Sequence, residues 1–100
     1  MGLSFAIDEL YATGWTALSS AGCEYASDGR AYPTLDRVRD EASQLGLELR
    51  LVHIQLFDCY RAEWRDRNGG GSGAVVGHCQ AEAAVYALSQ IRRSMALATA

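Results

Sequence analysis

The sequence predicts an α+β domain in which a small antiparallel sheet packs against helices, with an additional helix at the N-terminus. Three features carry this expectation. After Gly46 the apolar pattern changes from helical spacing to alternation, Leu47, Leu49 and Leu51 against Glu48 and Arg50, which marks a strand with one buried and one exposed face. Before Gly46, Leu35, Val38, Ala42 and Leu45 recur at helical spacing, and near the C-terminus Ala81, Ala84, Val85, Leu88 and Ile91 form a clean apolar stripe. A chain of 100 residues is the size of one domain, and a single domain over residues 1–100 is expected.

The first helix is expected over residues 4–19. Leu3, Ile7, Leu10, Tyr11 and Leu18 mark its apolar side, Ser4 can cap its start, and Asp8 with Glu9 suits its positive end. Phe5 and Trp15 widen the apolar surface, Trp15 reading as half-buried core, while Gly14 weakens the helix unless a neighbour packs closely over it. Residues 20–33 break the pattern with Gly22, Ser27, Asp28 and Gly29. Cys23–Tyr25 has room only for a short edge strand, with Tyr25 and Tyr32 placed to pin this connection onto the core. Pro33 precedes Thr34, an N-cap for the second helix, and Gly46 supplies a left-handed C-cap over which Leu47 folds back.

Within the strand region the apolar phase slips by one residue at Val52 and continues through Ile54 and Leu56. A bulge in one strand or a turn between two would produce this slip. A second strand over Phe57–Arg65 carries Tyr60 and Trp64 on one parity. Residues 68–73, Asn-Gly-Gly-Gly-Ser-Gly, read as an enlarged hairpin loop, and Ala74–Val76 as the next short strand. The last helix is expected from Cys79 or Gln80 to about Met95, with Arg92 and Arg93 suited to its negative end and residues 96–100 frayed.

From Tyr32 to Ile91 the order helix, strands, glycine-bearing hairpin, helix resembles the double-stranded-RNA-binding domain family. Ala83, Ala84, Ala87 and Leu88 resemble the alanine-rich motif of that family's last helix, and Gly77 lies before it. The resemblance implies RNA binding through lysines at the start of that helix. Here Val76, Gly77, His78, Cys79, Gln80 and Glu82 occupy the region without a lysine or arginine. Phosphate contacts dominate duplex affinity, so the resemblance implies a shared fold with reduced affinity for the phosphate backbone.

Composition narrows the function further. All nine cations are arginines, set against twelve carboxylates for a net charge of -3, which disfavours binding of nucleic acid through a broad positive field. No apolar run is long enough to span a bilayer, and the first residues lack the basic and apolar regions of a secretory signal. Three cysteines, Cys23, Cys59 and Cys79, show no metal-binding spacing and leave at least one thiol unpaired, which favours a reducing compartment. A cytoplasmic protein without membrane association is expected, and no cofactor or metal is implied.

The glycine run lacks the Lys and Ser/Thr of a phosphate-binding loop and does not open a helix. His78 and Cys79 abut the N-terminus of the last helix, where an anion or a thiolate is stabilised. His78 is therefore the candidate anion-binding residue, beside its plainer role as an exposed cap. A zinc set built from His53, His78 and the cysteines would need convergence in space that the sequence does not show. Arg61, Trp64, Arg65 and Arg67 form the candidate interaction surface, because buried arginines and aromatics anchor interfaces. Asp58, Glu63 and Asp66 lie among them and suit a protein partner better than a phosphate chain. The expectation is a non-enzymatic protein-interaction or structural module, binding a protein or a second copy of itself as a homodimer. The alternatives are an RNA-binding domain of reduced phosphate affinity and a Cys/His redox-active protein.

Overall fold

The structure, a computed structural model, describes residues 2–17 and 21–99, with side chains placed up to Met95. The elements are α1 (Leu3–Ala12), β1 (Cys23–Tyr25), β2 (Ala31–Pro33), α2 (Leu35–Gln44), β3 (Leu47–Ile54), a 3-10 turn (Gln55–Phe57), β4 (Cys59–Asp66), β5 (Ser72–Gly77) and α3 (Gln80–Thr99). The strands form a three-stranded antiparallel sheet, β3-β4-β5, and a separate two-stranded hairpin, β1-β2. The expected α+β class and its added N-terminal helix are both present.

Helix α3 is the centre of the molecule. Ala83, Ala84, Val85, Ala87, Leu88, Ser89 and Ile91 are at most 1% exposed, so between Ala83 and Ile91 this helix is covered on almost every side. One side lies on the sheet, where Ala83 and Ala87 meet Ala62, and Ile91 joins Ala42 and Leu47. The opposite side is covered by α1, whose Ala6, Ile7 and Leu10 join Ala84, Val85 and Leu88 in one cluster with Val38 and Tyr32. Alanines on the sheet side allow close approach, while the larger side chains fill the thicker layer beneath α1. The buried Ser89 hydroxyl donates to Tyr86 O at 2.6 Å, which removes the penalty of an unpaired buried donor.

Helix α1 ends at Ala12, not at residue 19. Gly14 adopts φ +85°, and the N–H groups of Thr13 and Gly14 donate to Leu10 O and Tyr11 O. Gly14 is therefore the left-handed residue that terminates the helix, not a weak point within it. Its N-cap is Gly2, without a side-chain cap, in place of the expected Ser4. Leu18 and the remainder of the expected helix end lie outside the described residues. Arg92 donates to Thr13 Oγ1 at 2.8 Å and Arg93 to Glu9 at 2.5 Å. These arginines thus anchor α1 to α3, which continues past the expected end near Met95 to Thr99. Of the expected fray at 96–100, Ala100 and the side chains of 96–99 fall outside the described residues.

The segment after α1 is fixed by polar contacts. Trp15, 4% exposed, donates its indole N–H to Glu41 at 3.2 Å, and Arg37 pairs with Glu41 at 3.0 Å while lying over the Trp15 ring. The β1-β2 hairpin docks on α1 through Arg30, which pairs with Asp8 and Asp28, and through Tyr11 Oη, which donates to Ala31 O at 2.6 Å. Hydrogen bonds to Asp8 and then Asp28 hold the Arg30 guanidinium even more firmly protonated. The backbone N–H of Arg30 is the main cause lowering the Asp28 carboxyl below its ordinary value. Tyr32 is buried and donates to Glu24 at 3.0 Å, and burial, then that hydrogen bond, raises its phenol pKa. Tyr25, expected to pin the connection, is instead 63% exposed.

Thr34 caps α2 as expected, accepting from Arg37 N, and Gly46 takes φ +81°. Leu45, expected on the buried side, is 44% exposed. It sits at the C-cap, where the chain turns out of the helical phase. The slip at Val52 is not a bulge, because the register runs unbroken from Leu47↔Asp66 to Ile54↔Cys59. The turn comes later, at Gln55–Phe57, and closes through Asp58 in the left-handed region at φ 47°. Phe57 therefore belongs to the hairpin tip and is 75% exposed. At the other hairpin, β5 begins at Ser72, so Gly73 pairs opposite Trp64 and is not part of the loop.

Candidate functional site

Strand parity divides the sheet into two faces of different chemistry. Leu47, Leu49, Leu51, Tyr60, Ala62, Trp64, Val75 and Gly77 point to α2 and α3, which both pack on this inner side. The outer face carries Glu48, Arg50, Val52 and Ile54 from β3, Cys59, Arg61, Glu63 and Arg65 from β4, and Ser72, Ala74 and Val76 from β5. Among the described residues no helix covers it.

One half of this face is charged. Arg65 lies directly opposite Glu48 and reaches it at 3.6 Å, and Arg61 pairs with Glu63 along the same strand at 3.3 Å. Arg50 stands opposite Glu63. These side chains, with Trp64, Ser72, Gly73 and Ala74, line an open groove of about 520 Å³. Exposed pairs of this kind add little to stability, so the fold does not require them. The other half is apolar. Val52, Ile54 and Cys59 are half-buried and Val76 is 53% exposed, leading to Leu56 and Phe57 at the hairpin tip, 84% and 75% exposed.

The candidate interaction residues are thus only partly brought together. Arg61 and Arg65 share the outer face with Glu48, Arg50 and Glu63. Trp64 points inward to Ala42, Leu47 and Ile91, and its indole spreads over Gly73, where a β-carbon would collide with the ring. It is also among the residues that line the groove. Arg67 follows the last residue of β4, donating to Ser43 Oγ at 3.1 Å and, through its backbone N–H, to Gly46 O at 3.2 Å. It ties the β4-β5 loop to the α2-β3 turn, and its guanidinium is committed to that contact. Glu48, Arg50 and the apolar end were not among the candidates. The apolar end had left a signal, the phase slip at Val52, which records apolar residues crossing from the inner to the outer face.

At the start of α3, Glu82 is 7% exposed and accepts from His78 N at 3.2 Å, while Cys79 Sγ accepts from Glu82 N at 3.4 Å. Cys79 is the N-cap and Glu82 the third helical residue, an arrangement close to the reciprocal capping box. The carboxylate occupies the helix entrance where an anion would bind, so His78 gains no support as an anion-binding residue. Its imidazole is exposed to solvent. Elsewhere, His53 stacks on Tyr60 at 4.7 Å and contacts Asp58 at 3.1 Å, and among the described residues no group of three His, Cys, Asp or Glu side chains could hold a metal.

The cap gives a direct prediction. Glu82→Ala leaves a part-buried donor unpaired and should cost about 1–2 kcal/mol, whereas Cys79→Ser, which supplies a better acceptor, should hold or raise stability. Urea denaturation of both variants checks this, and an unchanged midpoint for Glu82→Ala would remove the cap's role.

Among the described residues no helix is long and apolar enough to cross a membrane. Compared with models of protein families, with curated proteins and with solved structures, the chain matches none of them.

Proposed function

We propose that this protein is a non-enzymatic interaction module that binds a protein partner on the outer face of its three-stranded sheet. The observation that supports this reading is the uncovered face itself, with mixed charge at one end and exposed apolar side chains at the other. An apolar patch beside arginines and glutamates is the composition of a protein interface with a polar rim. Glu48 and Glu63 neutralise Arg61 and Arg65 locally, which weakens attraction for a phosphate chain.

From α2 to α3 the order is helix, three strands, helix, with both helices on one sheet face. That order supports the RNA-binding alternative at the level of fold. The closed cap at Glu82 and the absence of a lysine or arginine from residues 76–82 count against it at the level of chemistry.

The test compares the parent chain with the double variant Arg61→Glu, Arg65→Glu. Both side chains are solvent-exposed, so the variant's melting temperature should stay within a few degrees of the parent's. Binding to a copurifying protein should weaken about tenfold or more. Saturable binding of duplex RNA by the parent that falls with added salt and is lost in the variant would overturn the protein-partner reading.

A further inference from the structure

Among the described residues of the three-stranded sheet, the outer edge of β5 is left undefended. Natural edge strands are blunted by charged side chains, proline, bulges or a covering element, because their free N–H and C=O groups otherwise template pairing with another chain. The opposite edge, β3, carries Glu48, Arg50 and His53. Strand β5 reads Ser-Gly-Ala-Val-Val-Gly, without a charge or a proline, and pairs with β4 in unbroken register from Arg65↔Ser72 to Tyr60↔Gly77. Among the described residues no backbone hydrogen bond from outside the β4-β5 pairing reaches Ser72–Gly77. Val75, although it points toward α3, is still only half-buried.

We propose that β5 pairs antiparallel with β5 of a second copy across a two-fold axis, joining two three-stranded sheets into one of six strands. The strand is complementary to itself. In an antiparallel pair, side chains directly opposite share a face. A two-fold axis perpendicular to the sheet, passing at Ala74 or Val75, therefore sets small residues against small residues on both faces. Such an isologous contact gives the free backbone groups of each strand partners on the other. No lysine, arginine, aspartate or glutamate on either β5 opposes the approach. The same axis makes the two outer faces continuous, so the exposed Val76 of each copy is flanked by the other's β5. The pairing is independent of what the outer face binds.

Ala74 is the position that tests it. Ala74 is exposed on the outer face, opposite Glu63 of β4, so Ala74→Lys gains a cross-strand partner within the monomer while placing a charge beside the free edge. Sedimentation across a dilution series should show a dimer for the parent. Its dissociation constant should rise about tenfold or more in Ala74→Lys, with circular dichroism unchanged and with melting unchanged at dilutions where both proteins are monomeric. Hydrogen exchange supplies an independent readout, since amides of residues 72–77 should become slower to exchange as protein concentration rises. A parent that stays monomeric at concentrations of hundreds of micromolar would overturn the proposal. So would a dimer unaffected by Ala74→Lys whose exchange protection lies outside β5.

Discussion

Replacing Leu88 with alanine should destabilise this protein by about 2–5 kcal/mol, a large part of the roughly 5–15 kcal/mol that holds a typical domain together. Leu88 is fully buried and belongs to the cluster that joins α1, α2 and α3. Its neighbours cannot collapse into the space it would leave. Ile7 and Leu10 are held on α1, which Arg92 and Arg93 tie to α3, and Val38 is held on α2 by the Arg37, Glu41 and Trp15 contacts. Urea denaturation followed by far-ultraviolet circular dichroism measures the loss. A change below 1 kcal/mol would mean that α1 does not pack on α3 as described, because Leu88 would then have had a partly solvated side.

How much of this could be read from the sequence depended on the range of the interactions involved. Helix α2, the alternation after Gly46 and the stripe on α3 were legible because each is encoded locally. Thr34, Gly46 and the 3.6-residue period need no distant partner to act. The β1-β2 hairpin was not legible as a pair. Its strands have three residues each, too few for a period, and Arg30 and Tyr11 hold them to α1 from far along the chain. The end of α1 was misplaced because Gly14 has two meanings, helix weakener and helix terminator, and only its backbone angle separates them.

The site was legible to the same degree. Arg61 and Arg65 share a strand parity, and alternation alone put them on one exposed face. Arg67 keeps that parity in sequence but lies beyond the last strand residue, where the turn redirects it to Ser43. Glu48 and Arg50 joined the face only through the β3-β4 register, which the sequence left open between a bulge and a turn. The slip at Val52 bore on the same question. A local defect in the strand was one natural reading of it, yet the strand is regular and it is the burial that changes sides.

The second large effect is expected at Gly77, where alanine should cost on the order of 3 kcal/mol or more. Gly77 ends β5 opposite Tyr60, is buried, and faces the first turn of α3. A methyl group there would lie 2.6 Å from Ala83 N and 3.0 Å from Ala83 Cα. Both are backbone atoms, so no side-chain rotation can relieve the overlap. The helix would have to lift from the sheet, opening the Ala62, Ala83 and Ala87 contact along its length. Gly73→Ala is a milder case, since its obstacle is the indole of Trp64, a side chain that can shift where the backbone of α3 cannot. Comparing the two by denaturation midpoint, with Trp64 fluorescence as the local reporter, should place Gly77→Ala well below Gly73→Ala. The cause also predicts what will not help. Ala83→Gly removes a side chain but leaves the obstructing nitrogen and α-carbon in place, so it should not rescue Gly77→Ala, and a rescue by that change would show that the close approach lies elsewhere.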